Sequence, residues 1–249
     1  MPEAVTLWAV PASHPCKAVE KALELKGVPV KRLDLVPIMH RAVMRVRFGD
    51  TSVPGVVFAD GERVQGSRPI IAAIEARWPQ PPLWPADRDR RAEVARADEW
   101  GEQVLQPIAR RLTWWVLGER PDAVPGYAGD ARLLPPSPAF ASRALAPYVA
   151  RGSRHFNGVD EPTVRADLTH LPAHLDRVDA WLAEGVLGGE TLNAADLQLA
   201  ASLRLLLTLE DVRPVLDARP CGPYARRVFS DWPGSGPSGA VPPSWLPAG

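Results

Sequence analysis

Cysteine is scarce in this sequence, and its scarcity limits the kinds of protein that the chain can be. Only two cysteines, Cys16 and Cys221, occur among 249 residues. Two cysteines are too few for a disulfide framework, and their very different settings give no metal-ligand spacing. We therefore expect a protein of a reducing compartment that carries no metal.

An excess of charge of either sign is also lacking. Lys plus Arg and Asp plus Glu both total 29, so the formal net charge is zero. A chain without a net basic field has no long-range attraction for nucleic acid. The composition therefore predicts no nucleic-acid partner and leaves specificity to local groups.

Long apolar runs are missing as well. The most apolar segment, residues 197–209, is interrupted by Gln198 and Arg204, whereas a membrane-spanning helix needs about 20 predominantly apolar residues. The first residues lack the positive n-region and the long apolar h-region of a signal peptide. We expect a cytoplasmic protein without a membrane partner.

Proline, in contrast, is abundant, and it punctuates the chain. Residues 79–85 contain four prolines around Trp84, and proline stiffens a segment while it removes backbone donors. Proline and glycine also fill the C-terminal segment, to which we assign no regular structure. The predicted organisation is a first domain over 1–80, a linker over 81–87, a helical domain over 88–231 and an irregular tail over 232–249.

The first domain alternates between strand and helix patterns. An apolar run over 4–10 predicts a strand, a helical period follows over 15–27, and 28–35 predicts a second, parallel strand. Two short strands joined at Asp60-Gly61 predict a hairpin, and Ser67 is placed as the cap of a closing helix. A βαβ unit, a linking segment, a hairpin and a helix, in this order, predict a thioredoxin-like domain.

Beyond the linker the periodicity is helical throughout. Periodic patterns cover 88–118, with an interruption at Pro107, and continue over 162–187 and 193–209. Residues 121–138 are rich in Pro, Gly and Asp and are predicted as a loop. The predicted fold class is thus an α/β domain of thioredoxin type followed by an all-α domain.

One tetrad carries the clearest chemical signal. Ser13-His14-Pro15-Cys16 lies between the first strand and the first helix, where a helix N-terminus stabilises a thiolate. Thioredoxins and glutaredoxins have Cys-x-x-Cys at this place, and serine here replaces the first cysteine, which argues against a two-thiol exchange cycle. Ser13 is the first catalytic candidate, and the alternative is that it only caps the first helix. Cys16 is the second candidate, and the alternative is that it is a packed residue. His14 is interpreted as an exposed loop residue.

An ordered set of motifs supports a family resemblance. Ser13 to Cys16, Leu25-Lys26-Gly27, Ser52-Val53-Pro54 and Asp60-Gly61 leading to Ser67 resemble the N-terminal domain of glutathione transferases. Asn193 and Asp196, before an apolar helical pattern, are similar to the capping box of the family's helical domain.

The resemblance implies a thiol-binding groove. It places Val53, Pro54, Gln65 and Ser67 at the bound thiol, with a cis peptide bond before Pro54 and the γ-glutamyl carboxylate at Ser67. It makes Ser13 the donor that lowers the pKa of the glutathione sulfur, so that a thiolate attacks an electrophile. Family members commonly have an acidic or amide residue where this chain has Gly66. Because the missing side chain weakens or alters the recognition of glutathione, we expect the thiol to be glutathione or another low-molecular-weight thiol.

The resemblance also implies where the electrophile binds. It places the wall of the electrophile pocket on the helix that bears Trp100, Arg111, Trp114 and Trp115, and such a tryptophan-rich face suits an apolar electrophile. It further implies a homodimer and a role in detoxification.

Two other functions stay open at this point. A non-catalytic binding module of the same fold would tolerate the glycine at position 66. A thiol-dependent isomerase or reductase would use Cys16 as its reactive thiol.

Overall fold

The N-terminal part of the chain forms one four-stranded sheet in the order β2-β1-β3-β4. The computed structural model describes residues 2–129 and 139–246. The strands are β1 (Val5–Ala9), β2 (Val30–Asp34), β3 (Gly55–Val57) and β4 (Arg63–Gln65). β1 pairs in parallel with β2 and antiparallel with β3, and β3 pairs antiparallel with β4. The predicted βαβ unit and hairpin are therefore confirmed.

Helices α1 (His14–Leu25) and α3 (Ser67–Arg77) pack against each other beside this sheet. Alternate residues of the central strand β1, Val5, Leu7 and Ala9, are buried. This burial follows from the two-residue period of a strand, which sends every second side chain to the same face. The first helix also contacts the helical half of the chain.

A further helix, α2 (His40–Phe48), occupies the segment that the sequence analysis treats only as a link. Met44 is its one buried residue, so the segment shows no apolar stripe from which periodicity could predict a helix. The helix ends at Gly49, which has φ 98°. Glycine is favoured there because other residues are strained in the left-handed region.

The helical half begins with a long rod that contains a widened turn. Helix α4 (Arg88–Trp100) runs through a π turn at Gly101–Leu105 into α5 (Gln106–Glu119). Pro107 has no N–H to donate to the preceding turn, and the backbone widens directly before it. The interruption predicted at Pro107 thus corresponds to a local widening within a continuing rod.

The remaining helices are α6 (Val124–Ala128), α7 (Ala139–Phe156), α8 (Glu161–Ala183), α9 (Ala194–Leu206), α10 (Arg213–Asp217) and α11 (Cys221–Val228). Helix α9 is almost wholly buried, and it contacts α1, α4, α5 and α11. The loop predicted over 121–138 is in part helical, with a 3-10 turn at Pro121–Ala123 followed by α6, and positions 130–138 lie outside the described residues. None of the helices in the described ranges combines the length and apolarity needed to cross a membrane.

The C-terminal tail packs onto the helical half. The Trp115 indole N–H donates to the Ala240 carbonyl at 3.0 Å, and the Asp211 carboxylate accepts the backbone N–H groups of Gly239, Ala240 and Val241. Although we assigned this segment no regular structure, it contains a 3-10 turn at Pro243–Trp245 and a single parallel bridge between Leu209 and Gly236. The division of the chain into four segments stays a prediction.

Candidate functional site

A cavity of about 280 Å³ lies between the sheet domain and the helical half. Its wall comes from the segment that enters α1, the start of α2, the residues before Pro54, the start of α3, one face of α5 and the end of α7. The segments of the first domain that bear the sequence-predicted thiol site therefore meet around one space. The helices of the second half close the opposite side.

Ser13 lies in the wall of the cavity, directly before α1. Its side chain makes no capping hydrogen bond to the helix, so the competing N-cap interpretation lacks the interaction that defines it. Its side chain lies near the Cys16 thiol and acts to lower the pKa of that group. A serine hydroxyl at this position is available to a ligand that enters the cavity.

Cys16 lies outside the cavity wall, and its side chain is buried. Burial raises the pKa of the Cys16 thiol to about 11, although the Ser13 side chain opposes this effect. A reactive cysteine needs a lowered pKa and access. The structure therefore does not support Cys16 as a catalytic nucleophile and favours its packing role.

His14 is buried in the wall of the cavity, with 3% of its surface exposed. The interpretation of this residue as an exposed loop histidine is wrong, because it is the first residue of α1 and turns inward. Burial lowers its pKa well below the ordinary value, and the charge of Arg110 lowers it further, so the ring is neutral. Its Nε2 atom has no hydrogen-bond partner in the described structure.

The predicted cis peptide bond between Val53 and Pro54 is confirmed. Pro54 is buried outside the wall, and its carbonyl accepts the Gly66 N–H at 3.0 Å, while Val53 faces the cavity. Among the described residues, neither the N–H nor the C=O of Val53 makes a hydrogen bond. The backbone of Val53 can therefore pair with the backbone of a peptide-like ligand.

The N-terminus of α3 also opens into the cavity. Gly66 stands at the cap position with φ 90°, and it has no side chain to bind the first N–H groups of the helix. Ser67 is buried in the wall, and its hydroxyl oxygen accepts the Gln198 amide at 3.2 Å. Unpaired N–H groups at a helix start favour an anion, such as a carboxylate.

Gln65 does not reach the cavity, contrary to its predicted place at the thiol. Its Nε2 donates to the carbonyls of Asp50 and Ser52, at 3.0 and 2.7 Å, and its Oε1 accepts the Asp50 N–H. These bonds use the amide to tie β4 to the segment before Val53. Gln65 therefore supports the shape of the site without contacting its interior.

One face of α5 closes the cavity. It presents Gln106, Arg110, Thr113, Trp114 and Leu117, which recur at three- and four-residue steps along the helix. Of the four residues predicted for the electrophile pocket, only Trp114 lies in this wall.

The other three predicted pocket residues lie elsewhere. Trp100 packs edge-on against Trp181, with ring centroids 5.3 Å apart, and Trp115 packs beside Trp245. Arg111 makes two 2.7 Å hydrogen bonds to the Asp167 carboxylate. Arg111 and Trp115 each follow a wall residue by one position, and one step along a helix turns a side chain by about 100°.

Some charged side chains of the cavity wall have an oppositely charged partner among the described residues, and others have none. Glu102, from the π turn, accepts a hydrogen bond from Arg68 at 3.2 Å. Arg41 lies over the Phe156 ring, 4.6 Å from its centroid, and has no carboxylate partner within the described part of the chain. His40 is neutral near pH 7, because burial and then the Arg41 charge lower its pKa to about 4. His40, Arg41, Glu102 and Gln106 also line the cavity, and they are not predicted because no periodic pattern in the sequence places them there.

The part of the chain that the structure describes contains no candidate metal site. No group of three or more His, Cys, Asp or Glu side chains within residues 2–129 and 139–246 could hold a metal ion.

Comparison with protein families gives one match. The family model described as the glutathione S-transferase N-terminal domain matches residues 7–82. This segment contains the whole sheet from Leu7 onward, α1, α2, α3 and the Val53-Pro54 bond. A comparison with curated proteins gives no match.

Solved structures share the fold over most of the chain. A glutathione S-transferase from Rhodospirillum rubrum F11 is 19% identical with a TM-score of 0.62, covering 91% of this chain and 88% of its own. A bacterial maleyl pyruvate isomerase, described as a glutathione S-transferase of the zeta class, is 21% identical with a TM-score of 0.59, covering 89% and 90%. A beta-etherase from Sphingobium sp. strain SYK-6 is 16% identical with a TM-score of 0.59, covering 90% and 98%. At such identities the likeness shows the fold.

Proposed function

We propose, from the match of residues 7–82 to the glutathione S-transferase N-terminal domain and from the shared fold, that this chain is a thiol transferase. In this proposal it binds glutathione or another low-molecular-weight thiol and joins the sulfur to an electrophile. One observation carries the proposal. The Ser13 hydroxyl, the unpaired backbone of Val53 and the open N-terminus of α3 at Ser67 all face the same cavity.

These groups fit a glutathione-type ligand. The Val53 backbone suits the peptide portion of the thiol, and the N–H groups at the start of α3 suit its γ-glutamyl carboxylate. Arg41, in the first turn of α2, has no carboxylate partner among the described residues. Its positive charge suits the second carboxylate of the thiol ligand. Such an arrangement would leave the sulfur beside Ser13.

The proposed chemistry needs only one protein donor at the sulfur. The Ser13 hydroxyl donates a hydrogen bond to the bound thiol and stabilises its thiolate, whose proton passes to solvent. The sulfur electron pair then forms a bond to an electrophilic carbon. A leaving group departs with its bonding electrons, or an added electron pair takes a proton from water. Trp114 and Leu117 offer the electrophile an apolar and aromatic surface.

The identity of the thiol depends on whether the site recognises a γ-glutamyl unit. Gly66 offers no side chain to the ammonium group of a γ-glutamyl unit, and Glu102, the nearby carboxylate in the wall, already accepts a hydrogen bond from Arg68. Calorimetry with glutathione and with cysteinylglycine, which lacks the γ-glutamyl unit, tests this point. Tighter binding of glutathione supports recognition at α3, and equal binding argues for a different thiol.

A conjugation assay with an activated aryl chloride tests the transferase reaction itself. Thiol binding without conjugation of any electrophile would favour the second candidate, a non-catalytic binding module, which the glycine at position 66 supports. The third candidate, an isomerase or reductase that uses Cys16, has no support in the burial and raised pKa of that thiol. We include in the proposal a cytoplasmic homodimer with a role in detoxification, and light scattering tests the dimer.

A further inference from the structure

Arg110 brings a positive charge into the cavity wall without a carboxylate to balance it. Its guanidinium donates one hydrogen bond, to Gln106 Oε1 at 2.9 Å. Within the described residues it takes part in no ion pair. Burial and the neighbouring charge of Arg111 both lower its pKa, as expected for a cation in an unfavourable place.

Arg111, the next residue along the helix, has the carboxylate partner that Arg110 lacks within the described part of the chain. Arg111 points away from the cavity and is held by both oxygens of Asp167. A planar guanidinium is matched best by such a two-point contact with a carboxylate. Arg110 has the same group but makes no such contact among the described residues, and it lines the cavity together with His14 and Trp114.

Two further polar atoms beside Arg110 are also left without partners. Gln106 Nε2 is a buried donor, and the Gln106 residue is 7% exposed. His14 Nε2 is likewise buried and unpartnered. Buried polar groups in native proteins are nearly always paired, so two unpaired atoms beside a guanidinium without a carboxylate favour a polar ligand at this place.

We infer that the cavity takes an electrophile that carries a carboxylate, with the carboxylate bound by Arg110 and Gln106. The rest of the electrophile lies along Trp114, so the second substrate is amphipathic and not merely apolar as the sequence analysis expects. This inference deepens the proposed function and rests on it for the reaction, although the anion contact is a property of binding alone. Arg110 lies on α5, whereas Val53 and Ser67, which the proposed function assigns to the thiol, belong to the sheet domain.

The test uses two aryl chlorides that differ only in charge, 4-chloro-3,5-dinitrobenzoate and 4-chloro-3,5-dinitrobenzamide. Binding of each is measured without thiol, by quenching of tryptophan fluorescence, and kcat/KM is then measured with thiol. We expect the wild-type protein to bind the benzoate at least tenfold more tightly than the benzamide, since a charge-assisted contact is about twice as strong as a neutral one.

In Arg110→Gln the preference for the benzoate should disappear while binding of the benzamide stays within about threefold of wild type. Arg111→Gln is the matched control, with the same substitution one position along, and should keep the preference. Arg110→Met is the second neutral variant if the glutamine variant does not fold. Equal binding of the two probes by the wild type, or a preference that survives the loss of Arg110, would overturn the inference. A binding preference without turnover of either probe would refute the transferase proposal and leave the anion site standing.

Discussion

Asp196 and Asn193 cap each other at the start of α9. The Asn193 side chain accepts the Asp196 N–H at 3.1 Å, and the Asp196 carboxylate accepts the Asn193 N–H at 2.9 Å. Asp196 also accepts the Gly188 N–H at 2.7 Å and the Tyr224 hydroxyl at 2.8 Å. The capping box predicted from the sequence is thus confirmed, and it lies at the centre of a larger buried network.

Replacing either capping residue should lower stability without removing chemistry. We expect Asn193→Ala to lower the free energy of unfolding by about 1 kcal/mol, as for a lost cap. Asp196→Ala should cost about 2 to 4 kcal/mol, because it also leaves buried donors at Gly188 and Tyr224 without an acceptor. Denaturant midpoints give both values.

Asp160→Ala is the control for this comparison, since Asp160 is an exposed residue that caps α8 through Thr163 alone. It should cost no more than Asn193→Ala. A folded Asp196→Ala protein with wild-type stability and no activity would show instead that Asp196 takes part in catalysis.

The Ser13 and Cys16 pair yields a second prediction. If the Ser13 hydroxyl holds the thiolate, Ser13→Ala should lower kcat/KM for conjugation about ten- to hundredfold, the range of one charge-assisted hydrogen bond. The pKa of the bound thiol, read from the pH profile, should rise in the same variant. Cys16→Ala should keep most of the activity. The opposite pattern, with Ser13→Ala active and Cys16→Ala inactive, would assign the reaction to Cys16.

The raised pKa of Cys16 predicts how the thiol behaves as the pH changes. In the folded protein the group stays protonated up to about 11, whereas the ordinary value is 9.0. A raised pKa means that the unfolded chain releases this proton first, so stability present below pH 9 is lost as the pH rises from 9 towards 11. Cys16→Ala should lose less stability than wild type over that interval. The native thiol should also react slowly with a maleimide at pH 7.5 and fast in denaturant, and rapid native labelling would contradict its burial.

The lowered pKa of His40 predicts that the free energy of unfolding falls as the pH decreases. Its pKa is lowered in the fold from 6.5 to about 4. The unfolded chain therefore binds a proton between these values that the native protein does not, and stability falls as the pH drops from 6.5 to 4. His40→Gln should flatten this part of the stability curve, measured by urea unfolding at a series of pH values. An unchanged slope in His40→Gln would contradict the assignment of this pH dependence to His40.

The parts of the fold that the sequence predicts are those in which one face is buried. β1 and α1 show a clear period because their apolar residues face the core, whereas the hairpin is identified by its Asp60-Gly61 turn. α2 buries only Met44, so no period identifies it. Local hydrophobic patterning therefore predicts core elements and fails for a helix that lies on the surface beside a cavity.

The same limit explains the site. Ser13 is predicted from its place before the first helix, Val53 and Ser67 are predicted from the resemblance to glutathione transferases, and the structure brings all three to the cavity. Of the residues predicted for the helical wall only Trp114 lies there, since Trp-rich composition does not say which tryptophan faces inward. Arg111 and Trp115 each lie one position after a wall residue, Arg110 and Trp114. Phase depends on the packing of α5 against distant helices, which no local pattern contains.

Gly66 yields the last prediction, because its backbone conformation favours glycine at the place where the resemblance to glutathione transferases leads us to expect an acidic or amide residue. Its φ of 90° and ψ of 143° fall in a region that is essentially restricted to glycine. An added Cβ would have its nearest neighbour, Pro69 Cδ, at 3.4 Å, so the expected cost comes from backbone strain and not from a severe clash. Gly66→Ala and Gly66→Glu should therefore each lower the free energy of unfolding by about 1 to 3 kcal/mol. Gly189→Ala, at an exposed glycine without a positive φ, should be nearly neutral. If Gly66→Glu is as stable as wild type and binds glutathione more tightly, the glycine is not a backbone requirement, and its presence marks the loss of a recognition group.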